Sequence, residues 1–190
     1  MYEWNVEASG ALYEALTLLE VALRNAIHDQ LTLWHAAQSL PGTWLEDPSK
    51  LLEEKARDDI STAFRPAQQW RRVRGVQVAN RPAPPVGAVV AELGFGFWRF
   101  LLASRYEHTL WLGAMRHGFP GAQGDRSRVE KPVRRLHEAR NRIAHLEPIL
   151  KRDLVRDEHD INYVIQSICP KTAHWAAGQR RLLDVSAKRP

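Results

Sequence analysis

The sequence predicts an all-α fold, an antiparallel bundle of about seven helices joined by short loops, and three observations carry that expectation. Apolar residues recur at three- and four-residue steps, no segment alternates at period two, and proline or glycine punctuates the periodic runs at short intervals. No internal repeat is visible, and the one proline-rich stretch is too short to divide the chain into domains. Residues 1–190 are therefore expected to form a single unit.

The first element is the clearest. From about Glu7 to Ala37, the residues Leu12, Ala15, Leu16, Leu19, Ala22, Leu23, Ala26, Ile27 and Leu31 fall at helical steps and define one buried face. Pro41-Gly42 stops this helix. Asp47-Pro48 then reads as an N-cap followed by proline at the first helical position, opening a charged helix with Leu51, Leu52, Ile60 and Phe64 turned inward. Arg71 to Arg81 is basic and loosely patterned, and Arg81-Pro82-Ala83-Pro84-Pro85 reads as a stiff, extended connector. Helices are expected at 86–93, 96–104 and 107–117, then a loop from Gly118 to Gly124. Asp125 is placed to cap a helix from about Arg126 to His145, stopped near Pro148. Two more follow, at 153–168 and 171–184, separated by Pro170.

Composition narrows the class. Apolar residues make up 44% and charged residues 26% of the chain, which separates it from disordered sequences. Cys169 is the single cysteine, so an internal disulfide and a Cys-based zinc site are excluded, and a reducing, cytoplasmic home is expected. Met1-Tyr2-Glu3-Trp4-Asn5 has neither the basic nor the apolar region of a signal peptide. The most apolar stretch, Val86 to Ser104, carries Glu92 and Arg99, which suits core helices and argues against a membrane span. There is no His-Glu-x-x-His pattern and no Walker-type loop, so neither a metal nor another cofactor is expected. The net charge of +5 is concentrated: residues 126–152 hold nine Lys or Arg against three Glu, a local excess of +6. Such a block favours an anionic partner such as RNA.

The chemistry is carried by Arg140-Asn141-Arg142-Ile143-Ala144-His145, at the end of the basic helix. An arginine followed after four residues by a histidine, with asparagine directly behind the arginine, resembles the motif of the HEPN superfamily. Trp4-Asn5 and Leu18 to Ile27 are similar to the opening helix of its Abi-like (abortive infection) branch. Leu93-Gly94-Phe95-Gly96-Phe97-Trp98 is similar to the middle segment of that branch, and Arg140 to Pro148 to its closing motif. The resemblance covers roughly residues 2–150, leaving the helices at 153–184 outside it. It implies a metal-independent endoribonuclease of toxin or antiphage type, working as a homodimer and held silent by an antitoxin or nucleotidyltransferase partner. A second reading keeps the family and drops the chemistry: a non-catalytic module that binds RNA, nucleotide or a protein. The chain departs from the branch at Leu146, where a second histidine is common. It departs again at Glu147, where some relatives carry a tyrosine that a partner nucleotidylates.

Residue chemistry fits the first reading. Histidine transfers protons near neutral pH, and the planar guanidinium of arginine holds phosphate and stabilises developing charge. Asn141, one turn before His145, either orients the imidazole or binds phosphate. A plainer account remains beside it, in which His145 is a structural histidine favoured at a helix C-terminus by the helix dipole. Arg134, His137 and Arg142 are candidate RNA contacts, with His137 otherwise a simple exposed polar position. Glu20, Arg24 and Asn25 are expected to support the site, chiefly as a network holding the first helix against the motif helix, with Glu20 as partner to Arg140. On a regular helix five residues turn about 500°, leaving Arg140 and His145 about 140° apart. Either the helix distorts ahead of Pro148, or a second subunit completes the site; the resemblance favours the second.

Overall fold

A computed structural model describes residues 1–69 and 84–190. The basic stretch from Arg71 to Arg81 and most of the proline-rich connector lie outside the described residues. Among those that are described, the elements are all helical: α1 (Tyr2–Ala37), α2 (Glu54–Gln69), α3 (Val86–Glu92), α4 (Phe95–Leu101), α5 (Arg126–Ala144), α6 (Leu154–Ile168), α7 (Pro170–Ala177) and α8 (Leu182–Ser186). Short 3-10 and π turns fill the gaps.

The long helix α1 organises the bundle. Its stripe of Leu12, Leu16, Leu19, Leu23, Ile27 and Leu31 is buried, and it packs against α4, α5, α6 and α8. Burying one such side chain stabilises the fold by about 1.5–3 kcal/mol, before conformational entropy is counted. The helix starts at Tyr2, five residues before Glu7, because tertiary contacts hold its first turn. The buried Trp4 indole donates to the Val185 carbonyl at 2.9 Å, and Asn5 Oδ1 accepts from the Ile149 N–H at 2.8 Å. The second bond ties the start of α1 to the chain just beyond the motif helix.

Helix α5 follows its sequence pattern closely. Asp125 caps it by accepting from the Ser127 N–H at 2.8 Å. Val129, Val133, Leu136 and Ala139 are buried, and Ile143 is half-buried. The helix closes in a reciprocal pair of backbone bonds, from Leu146 N–H to the Ile143 carbonyl at 3.0 Å and from Glu147 N–H to the Arg142 carbonyl at 2.8 Å. That closure needs a left-handed residue, a place usually taken by glycine. Leu146 occupies it, at φ 57° and 92% exposed.

Three expectations are corrected. Asp47 does not cap a helix at Pro48. It ends a 3-10 turn (Trp44–Glu46) in the left-handed conformation, and its carboxylate accepts from the N–H groups of Leu51 and Leu52, at 2.8 and 3.1 Å. Helix α2 starts only at Glu54, because those bonds hold residues 48–53 in a turn. The expected helix at 107–117 is instead a π turn (Glu107–Trp111) leading to a 3-10 turn (Met115–Gly118). The expected helix at 171–184 is broken after Gly178 into α7 and α8, and the break lets Leu182 and Val185 reach the core.

The double acceptance by Asp47 gives a stability prediction. Asp47→Ala strands two backbone donors and removes the carboxylate beside Arg57, so it lowers unfolding free energy by about 2–3 kcal/mol in urea titration. Asp47→Asn keeps the acceptor and tolerates the left-handed backbone, and loses less than half as much. Equal losses in the two variants would show that the turn does not depend on these bonds.

Candidate functional site

The apolar stripe of α5 settles which of its polar residues turn inward. Arg140 continues the line of Val133 and Leu136 and is half-buried. His137, three residues earlier and about 60° away, is also half-buried. Both line an open groove of about 650 Å³ between α2, the α3–α4 turn and α5. Lys55, Asp59, Glu92, Gly94, Phe95, Gly96 and Arg99 contribute to its walls. The His137 ring meets the Phe95 ring edge-on at a centroid distance of 5.6 Å. Gly96 makes room for it: a Cβ there would stand 3.2 Å from His137 Nε2.

Electrostatics link this groove to α1. Glu20 is half-buried beside Arg140 and Arg24. Burial raises its pKa above the usual carboxylate range, and Arg140, Arg24 and the Phe95 backbone N–H pull it partly back. His137 is held below the usual histidine range, first by burial and then by Arg99 and Arg140, with Glu138 opposing. A neutral imidazole therefore stands beside two guanidinium groups at neutral pH.

The other expected residues are placed less centrally. Asn141 is half-buried, and its backbone carbonyl accepts from the His145 N–H at 2.9 Å. His145 itself is exposed, at the C-cap of α5, and is not among the residues lining the groove. The helix stays regular through Ala144 and breaks only at Leu146, so no distortion carries His145 round towards Arg140. Asn25 is exposed, about 140° round α1 from Glu20, so the expected network reduces to Glu20 and Arg24. Arg134 is exposed beside Glu130 at 3.6 Å. Arg142, also exposed, lines a second groove of about 680 Å³ with Arg135, Lys151, Arg152 and Arg156. There Arg135 and Arg152 are already committed, in two-pronged bonds to Asp160 and Asp157.

No protein-family model, curated protein or solved structure matches the chain. No helix among the described residues is long and apolar enough to cross a membrane.

Arg99 is a groove residue that is not evident from the sequence, where it reads only as a charge interrupting the apolar run from Leu93 to Leu102. The interruption is itself the signal for Arg99, since a lone cation in an apolar run must reach solvent or a partner. His137 is among the expected candidates, but its half-burial is not evident, because Phe95 and Gly96 reach it from a distant part of the chain.

The depressed histidine predicts a pH dependence with a definite sign. A folded-state pKa below the unfolded value means that the folded chain binds fewer protons in the interval between the two. Stability therefore falls as pH drops from about 6.5 through the folded pKa of His137. His28, whose pKa is also lowered by burial, contributes in the same direction. Thermal melts across this interval should show the loss for the wild type and a shallower one for His137→Gln. Identical slopes for the two proteins would mean that His137 is not desolvated.

Proposed function

We propose that the chain is a metal-independent endoribonuclease of the HEPN type, with Arg140 as the phosphate-holding group and His145 as the proton-transferring group. The observation that carries this reading is Arg140 itself. Its Nε is buried without a hydrogen-bond partner, and its side chain lines an open groove. An arginine kept in that condition suits a phosphate that it can grip with its planar fork.

In the proposed reaction the ribose 2′-oxygen attacks the adjacent phosphorus. The new bond is 2′-O–P, and the bond broken is P–O5′. A neutral His145 imidazole takes the 2′-hydroxyl proton, a protonated one gives a proton to the 5′-oxygen, and Arg140 stabilises the charge on the phosphoryl oxygens. The products are a 2′,3′-cyclic phosphate and a 5′-hydroxyl. One chain offers a single His145, exposed and turned away from its own Arg140. A second copy related by a two-fold axis supplies the missing histidine, and RNA phosphate offsets the meeting of two basic α5 faces. An antitoxin partner would keep such an activity silent; a nucleotidyltransferase partner would have to act elsewhere than at Glu147, which replaces the modified tyrosine of some relatives.

The separation of Arg140 from His145 favours a second reading, in which the groove binds RNA or nucleotide and no cleavage follows. Activity separates the two. Under the enzymatic reading, Arg140→Ala and His145→Ala each lower RNA cleavage at least about 100-fold while the helical circular-dichroism signal is retained. Cleavage persists in EDTA and leaves 2′,3′-cyclic ends. Cleavage that requires magnesium overturns the mechanism. RNA binding that is lost with Arg140 but indifferent to His145, without cleavage in the wild type, selects the binding module.

A further inference from the structure

Seven arginines among the described residues are not exposed, and they fall into two groups. Arg126, Arg135, Arg152 and Arg180 each have a carboxylate within ion-pair distance: Glu107, Asp160, Asp157 and Glu158. Arg24, Arg99 and Arg140 have none; their Nε atoms are buried without a hydrogen-bond partner, as is that of Arg180, which however has the Glu158 carboxylate at 2.9 Å. These three are not scattered. Arg24 and Arg140 both act on Glu20, and Arg140 and Arg99 both act on His137. Three cations thus stand with one half-buried carboxylate, beside an imidazole whose neutral form is favoured.

The remaining charges at the groove do not balance them. Asp59 is paired with Lys55 at 3.2 Å, and Glu92 lines the groove, exposed and with no ion pair among the described residues. Residues 66–83 contain no aspartate or glutamate, so that stretch of the chain has no carboxylate to offer. Partly desolvated charge without a partner is costly, and elsewhere the fold supplies each such arginine with a carboxylate. Glu20 and Glu92 are the carboxylates left to face three arginines, and an anion from outside the chain would offset the charge left over.

We infer that the groove lined by Arg99, Arg140 and His137 is a binding site for the phosphate of a nucleotide, with Glu20 and Arg24 behind it fixing the position of Arg140. Arg99 and Arg140 take the phosphate oxygens. A volume of about 650 Å³ suits one nucleotide unit, and the open mouth lets a strand continue beyond it. The site shares Arg140 with the proposed nuclease but does not depend on cleavage, because the unpaired charge calls for an anion whether or not a 2′-hydroxyl is attacked.

The test uses the full chain and two probes that cannot be cut by that chemistry, 5′-AMP and a single-stranded 2′-deoxy-octanucleotide. The wild type binds at least one of them. Arg99→Gln and Arg140→Gln each weaken that binding at least about tenfold, the loss expected for one charge-assisted phosphate contact. Arg116→Gln, an exposed arginine in the 3-10 turn at Met115–Gly118, binds as the wild type does and controls for net charge. In phosphate-free buffer Arg99→Gln melts at or above the wild-type temperature, because it removes an unpaired cation; a merely structural arginine would lower it. Preference for the octanucleotide assigns the site to a strand, and equal affinity assigns it to a mononucleotide. Absence of binding by the wild type, or Arg99→Gln affinity within threefold of it, overturns the inference. Loss of RNA cleavage in His145→Ala with octanucleotide binding intact concerns the nuclease reading alone.

Discussion

Burial of the apolar stripe of α1 is the constraint from which the rest of the molecule follows. Six large aliphatic side chains spaced along Leu12 to Leu31 can leave water only if α4, α5, α6 and α8 gather round one helix. Once they do, the residues next to the stripe have no freedom of place. Glu20 follows Leu19 and Arg24 follows Leu23, so both ride the edge of the buried face, one turn apart. There they are neither fully hydrated nor sealed in, and Arg140 of α5 is brought to the same edge from the other side. The local charge balance is a consequence of hydrophobic packing.

Two kinds of arginine then have different physical meanings in one fold. Arg126 joins Glu107 to the Leu102 carbonyl, and Arg152 joins Asp157 to the Arg135 carbonyl. Such residues stitch loops and helix ends together and are satisfied within the chain. Arg24, Arg99 and Arg140 have no such partners within the described residues, and only Arg24 and Arg140 stand near a carboxylate, that of Glu20. The same contrast separates the two grooves. In the one that includes Arg142 the half-buried arginines, Arg135 and Arg152, hold carboxylates and only the exposed Arg142 and Arg156 have no ion pair among the described residues, whereas the half-buried Arg99 and Arg140 of the other have none.

Legibility in the sequence followed the range of the interaction concerned. The α1 stripe, the Asp125 cap and the inward face of α5 depend on residues within a few positions of one another, and periodicity displays them. The angular argument about Arg140 and His145 is equally local, and the regular end of α5 agrees with it. Asp47-Pro48 misled because an aspartate before proline looks the same whether it caps a helix or, as here, accepts two N–H groups four and five residues on. The proximity of Glu20 to Arg140 was legible because both lie at the margins of apolar stripes. The place of Arg99 beside His137 was not, since periodicity says which face of a helix turns inward and is silent on which faces meet. Lys55, Arg99 and His137 belong to α2, α4 and α5, and the packing of α4 against both α2 and α5 makes them neighbours.

The central claim is that the groove holds cationic charge in readiness for an anion, and His137 reports on that charge directly. Its imidazole is kept neutral in part by Arg99 and Arg140, so an anion that offsets those charges must raise its pKa, and by linkage must bind more tightly when it is protonated. The measurement is an NMR pH titration of the histidine side chains with and without the 2′-deoxy-octanucleotide. His28 serves as internal comparison, since its lowered pKa comes first from burial, beside Trp44, with Arg24 a lesser cause and with no place in the groove lining. The account predicts that the octanucleotide shifts the His137 titration towards higher pH and that of His28 by much less. A His137 titration that stays fixed while the octanucleotide is bound would contradict it.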